Sequence, residues 1–117
     1  MSYLTDKLQH LAALPPDRPM GMPGAYYTSQ EQFEHEARTV LRSGWHCLGR
    51  VDEIPEPGDY QTTWVGQTPV VVTRDREGQV RAFENSCAHR GAQVVTAPRG
   101  NSMRLTCPYH LWTYSLT

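Results

Sequence analysis

A chain of 117 residues is at most one domain with a modest core. Its formal net charge is −1 with the histidines neutral, and it has no basic block, which sets nucleic acid and anionic membranes aside as partners. Nine Gly and nine Pro imply many turns and favour a mainly β fold over a helical bundle. No apolar run approaches the roughly 18–20 residues that span a bilayer. The start, Met1-Ser-Tyr-Leu-Thr-Asp-Lys7, has neither the basic end nor the apolar centre of a signal peptide. The expected location is cytoplasmic, where thiols stay reduced and cysteines serve as ligands more often than as disulfide partners.

In chain order, residues 2–14 suit a short amphipathic helix with Leu4, Leu8 and Leu11 on one face. Pro15 to Gly24 carries four prolines and two glycines and reads as an extended connector. Thr28 to Arg42 reads as one packing helix. Thr28 with Glu31, or Ser29 with Gln32, offers a capping box, and Phe33, Ala37, Val40 and Leu41 form its apolar stripe.

From Trp45 the periodicity turns to β. Strands are expected over Trp45–Val51, Asp59–Val65, Pro69–Thr73 and Gln79–Phe83, with a loop at Glu53–Gly58 and a hairpin turn at Asp75–Gly78. The continuous apolar run Pro69-Val-Val-Val is expected to be buried on both faces. Gln93–Val95 reads as strand, Ala97–Asn101 as turn and Met103–Thr106 as strand, and the alternation resumes at Trp112, Tyr114 and Leu116. That makes about seven short strands. Cys47, alone in an apolar segment, reads as a small buried hydrophobe.

Two short motifs interrupt this pattern. Cys87-Ala-His89 is followed, after seventeen residues, by Cys107-Pro-Tyr-His110. Each motif supplies one thiol and one imidazole and sits where a strand gives way to a loop. Two Cys and two His suit a [2Fe–2S] cluster of the Rieske kind, with both thiolates on one iron and both imidazoles on the other. Two loops meeting tip to tip would meet that requirement. The set also suits a tetrahedral zinc, although zinc sites more often pair Cys with Cys and His with His along the chain.

The stretches Asn85-Ser-Cys-Ala-His-Arg-Gly-Ala92 and Cys107-Pro-Tyr-His-Leu-Trp-Thr-Tyr-Ser-Leu116 resemble the N-terminal Rieske domain of the α subunit of Rieske non-haem iron oxygenases, the aromatic-ring-hydroxylating dioxygenase type and its relatives. The resemblance extends from Tyr26-Tyr-Thr through Trp45, Pro57-Gly-Asp-Tyr60, Pro69-Val-Val-Val72 and Val80-Arg-Ala-Phe83. It implies a Rieske-type antiparallel β domain over residues 26–117, incomplete at its C-terminal end, behind an N-terminal helix and connector over 1–25. It implies that Cys87 and Cys107 bind one iron and His89 and His110 the other. Arg90, Gly91 and Tyr109 become candidate donors around the cluster, and Trp112 a residue packed beside it.

Ala92 and Tyr109 stand where cytochrome bc-type relatives carry an additional disulfide, and Leu111-Trp-Thr-Tyr114 follows the oxygenase habit more than the ferredoxin one. His10, His35 and His46 form no facial triad with a carboxylate, so no catalytic residue is assigned to this chain. The resemblance places a mononuclear Fe(II) in a C-terminal catalytic domain beyond Thr117. It implies a reductase or ferredoxin as electron donor and, in the intact protein, a homotrimer in which the electron crosses to a neighbouring subunit. By itself the chain is expected to hydroxylate nothing. A stand-alone ferredoxin-type carrier and a zinc-binding structural module are the alternatives.

Overall fold

The computed structural model describes residues 3–18 and 20–117, with the side chains of Tyr3 and Leu4 outside that description. The chain forms two compact units, residues 1–43 and 44–117. The division between them follows the helical segment.

In the first unit, α1 spans Tyr3–Ala12. The expected helix start at Ser2 and the Leu4 side chain lie outside the described residues. No helix or strand occurs among the described residues between 13 and 24. The single helix expected over 28–42 is instead three: α2 (Ala25–Thr28), α3 (Gln30–Arg38) and α4 (Val40–Ser43). Two local hydrogen bonds explain the breaks. Ser29 leaves helical geometry at ψ 122° so that its hydroxyl can accept from the Gln32 N–H at 3.2 Å. Thr39, at φ −106°, turns its hydroxyl back to the His35 carbonyl at 2.8 Å. Thr28 is thus the end of α2 and caps nothing. The Gln32 side chain completes no box, because the Ser29 N–H donates to the Ala25 carbonyl instead. The expected apolar stripe is not buried either, since α3 and α4 contain no buried residue and Phe33 and Val40 are exposed.

The second unit is antiparallel β. β1 (Asp59–Val65), β2 (Thr68–Arg74), β3 (Val80–Glu84) and β4 (Arg99–Asn101) form a sheet in the order β3-β2-β1-β4. β5 (Leu105–Thr106) and β6 (Thr113–Tyr114) form a separate two-stranded ribbon. Six strands are therefore present among the described residues, against about seven expected. Of the apolar run expected to be buried on both faces, Val71 and Val72 are buried while Pro69 and Val70 are half-buried, and the buried stretch extends instead to the polar Thr73. Gly78 takes φ 78° in the β2–β3 turn. There the buried Asp75 carboxylate accepts from the Glu77 and Gln79 N–H groups and pairs with Arg81 at 2.7 Å. Arg74 reaches the other way, donating to the carbonyls of Ile54, Gly78 and Val51 and tying the 51–54 loop to the hairpin.

Three β expectations differ from the structure. Trp45–Val51 is irregular and leads into a 3₁₀ turn at Val51–Glu53; the Gln61 side chain, not a ladder, satisfies Leu48 O at 3.0 Å. Gln93–Val95 is likewise not strand, for a reason given below. Ala97–Asn101 contains strand β4 where a turn was expected, and Gly100 is needed there because a Cβ would overlap the Tyr60 ring. Cys47 is exposed, not buried, since it lies in the irregular segment. No helix among the described residues is long and apolar enough to cross a membrane.

Candidate metal centre

The two motifs occupy two loops with matching backbone hydrogen bonds. In the first, Cys87 N–H donates to Ala92 O at 2.8 Å and Gly91 N–H returns to Cys87 O at 2.8 Å. In the second, Cys107 N–H donates to Trp112 O at 2.8 Å and Leu111 N–H returns to Cys107 O at 3.0 Å. The turn-back residue is left-handed in both, Gly91 at φ 68° and Leu111 at φ 61°. Glycine adopts that conformation freely; for leucine it costs about 1–2 kcal/mol. Leu111 is the only described non-glycine residue with positive φ.

Sheet and ribbon anchor these loops differently. The second loop is the tip of the β5–β6 hairpin, whose register pairs Thr106 with Thr113. The first follows β3 and is closed by Asn85, a fully buried side chain. Asn85 Oδ1 accepts from the N–H groups of Val94 and Val95 at 3.1 and 2.8 Å, and its Nδ2 donates to Val95 O at 2.7 Å. One amide thus does the work of a neighbouring strand, which is why residues 93–95 need no ladder.

The four candidate ligands fall into two pairs by depth. Cys87 and Cys107 are 4% and 2% exposed and belong to the core with Val71, Val94, Val95, Leu105 and Leu116. Both thiols lie in the same buried cluster. His89 and His110 are exposed, with ring centroids 4.7 Å apart at 69°. Among the described residues no three His, Cys, Asp or Glu side chains converge on one point, as a single mononuclear ion would need. Two pairs at different depths, buried thiols and exposed imidazoles, suit the donor set of a cluster with two unlike irons.

The Tyr114 hydroxyl lies 3.1 Å from Cys87 Sγ and 3.1 Å from the Ala88 nitrogen. This hydroxyl holds the Cys87 thiol below its ordinary pKa. The His89 backbone N–H, the Cys107 thiol and the Arg90 N–H act in the same direction, against the opposing effect of burial. Of the neighbours expected around the cluster, Arg90 contributes this backbone contact, and the Gly91 N–H is committed to Cys87 O. Tyr109 is exposed and lays its ring against His110, with centroids 3.8 Å apart. Trp112 stacks on His89. Tyr114 and Asn85 were not singled out from the sequence. Tyr114 stood only in the Trp112–Tyr114–Leu116 alternation and in the Leu111-Trp-Thr-Tyr114 continuation, neither of which says anything of Cys87, 27 positions away.

Residues 44–117 match the family model for the Rieske [2Fe–2S] domain. This chain is a Rieske domain of the oxygenase α-subunit type. It is 39% identical over 100 residues to the glycine betaine monooxygenase oxygenase subunit of Pseudomonas aeruginosa (strain UCBPP-PA14), covering 86% of this chain and 23% of that protein. It superposes on naphthalene 1,2-dioxygenase from Rhodococcus sp. with a TM-score of 0.80 at 35% identity, over 96% of this chain and 24% of that one. For the quaternary ammonium Rieske monooxygenase CntA in complex with L-carnitine, the TM-score is 0.77 at 35% identity, covering 88% and 31%. The Rieske chain described here thus spans about a quarter of the length of the curated relative.

Proposed function

We propose that Cys87, His89, Cys107 and His110 of this Rieske domain hold a [2Fe–2S] cluster, and that the chain is the electron-transfer part of an oxygenase. In the intact protein it takes electrons from a reductase or ferredoxin. It delivers them to a mononuclear iron in a catalytic domain of the same protein or of a neighbouring subunit in a homo-oligomer. The substrate there is an aromatic or other small organic molecule, oxygenated once or twice. Bound in these loops, the cluster supplies one-electron transfer at a potential of about −150 to +300 mV.

The observation that carries the reading is the layering of the two pairs. Buried thiols keep the sulfur side dry and within reach of the Tyr114 hydroxyl, while the two imidazoles form the exposed edge through which a partner makes its nearest approach. A tetrahedral zinc would set all four donors equally around one ion, whereas the difference in depth between the thiols and the imidazoles favours two unlike irons.

Anaerobic reconstitution with iron and sulfide tests the reading. The reduced chain should show an EPR spectrum with an average g below the free-electron value and couplings to two nitrogens. A colourless, EPR-silent protein that retains zinc would rule it out. With reductant and oxygen, the reconstituted chain should hydroxylate nothing; turnover would refute placing the catalytic iron elsewhere.

A further inference from the structure

Four aromatic rings run in a row across the two loops: Tyr109, His110, His89 and Trp112, with successive centroids 3.8, 4.7 and 5.0 Å apart. Only the last contact is flat, with 6° between the planes of Trp112 and His89. Tyr109 meets His110, its neighbour in the same loop, at a tilt of 37°. Trp112, by contrast, belongs to the second loop and His89 to the first, so the stack spans the gap between them.

Burial does not explain this stack, because Trp112 remains 48% exposed. The backbone is arranged to produce it. The chain passes through left-handed Leu111 and then pins Trp112 O to the Cys107 N–H at 2.8 Å, which presents the indole face to His89. The corresponding residue of the first loop, Ala92, has no ring to offer His110. A histidine ring turns about its last side-chain bond in a broad well. A flat aromatic neighbour at offset-stacking distance narrows that well.

We infer that Trp112 is a positioning residue for His89, its indole face fixing from the opposite loop the ring orientation in which that imidazole meets the cluster. The inference rests on the proposed function, in which His89 is a ligand. It predicts unequal histidines, His89 held by a flat stack from the opposite loop and His110 met only by the tilted ring of Tyr109, its neighbour in the same loop.

The test compares Trp112→Leu, which keeps apolar bulk but no flat face, with Trp112→Phe, which keeps a face. Pulsed EPR of the reduced, reconstituted chain should show one of the two nitrogen couplings shifted or broadened in W112L, and both close to the parent in W112F. In the iron-free chain, NMR should show the His89 ring protons displaced upfield in the parent and in W112F, and returned toward the free-histidine position in W112L. Trp112→Gln gives a second faceless variant suited to a half-exposed site, should W112L not fold. Unchanged couplings and ring-proton positions in W112L would overturn the inference, as would a W112F that behaves like W112L. A parent chain that takes up no cluster overturns the proposed function instead, and the iron-free NMR comparison then decides whether the stack orients His89.

Discussion

The Tyr114 hydroxyl bridges Cys87 Sγ and the backbone N–H of Ala88, at 3.1 Å from each. Because Ala88 donates to the tyrosine oxygen, the hydroxyl proton is free to point at sulfur. The bond is worth most when the sulfur carries most negative charge, which is in the reduced cluster. Tyr114→Phe should therefore lower the midpoint potential, by something on the order of tens of mV. Protein-film voltammetry would measure it, and an unchanged or raised potential would remove Tyr114 from the set of tuning groups.

Asn85 satisfies three backbone groups with one side chain in a fully buried position. Asn85→Ala leaves those groups unpaired and should cost about 2–4 kcal/mol in urea unfolding. The first loop should suffer most, so iron retention should fall further than that of a core variant of equal stability loss. Asn85→Asp keeps the acceptor and loses the donor, and should fall between the two.

Leu111 and Gly91 share a backbone conformation but not a side chain. Leu111→Gly relieves left-handed strain and should raise stability by about 1 kcal/mol or slightly less, once glycine's greater unfolded freedom is subtracted. Gly91→Ala introduces the same strain. Its Cβ would meet only the Ser86 hydroxyl at 3.9 Å, so the cost should be limited to about 1 kcal/mol. Opposite signs in thermal melts would verify the pairing; equal signs would show that the loops are not mechanically alike.

Burial acts to raise the Asp75 pKa, but the Arg81 guanidinium and the N–H groups of Gln79 and Glu77 outweigh it, leaving the carboxyl below the usual aspartate value. A carboxyl depressed in the folded state stabilises the protein fully above its unfolded pKa of about 3.9 and ceases to do so as the pH falls through the folded value. Urea midpoints measured from near neutral down to about pH 3 should therefore drop more steeply for the parent than for Asp75→Asn. The variant should start lower at neutral pH. Parallel curves would show that the Asp75–Arg81 pair contributes nothing to the acid limb.

The central hairpin was legible in the sequence because its signals were local. Asp59–Val65 is rich in Tyr, Thr and Trp, Val70–Val72 is uniformly apolar, and Gly78 marks the turn. The Cys and His positions of the candidate site were legible for the same reason, as two compact motifs. What escaped was non-local or side-chain driven. Ser29 and Thr39 each divert the backbone with one hydroxyl, which periodicity cannot weigh against an apolar stripe. Asn85 replaces strand pairing for Val94 and Val95 across a loop. Gly100 looked like a turn residue, yet its missing Cβ makes room for Tyr60 in a strand. Left-handed leucine at 111 has no sequence signature, since nothing in the residue itself prefers that conformation.

The depth ordering of the two candidate ligand pairs also sets the order in which reagents reach them. Alkylating agents find Cys47 open at once, while Cys87 and Cys107 are shielded until the core itself opens. Imidazole-directed reagents meet no such barrier at His89 and His110. Within the candidate site, chemical damage should begin at the two imidazoles and reach the two buried thiols last.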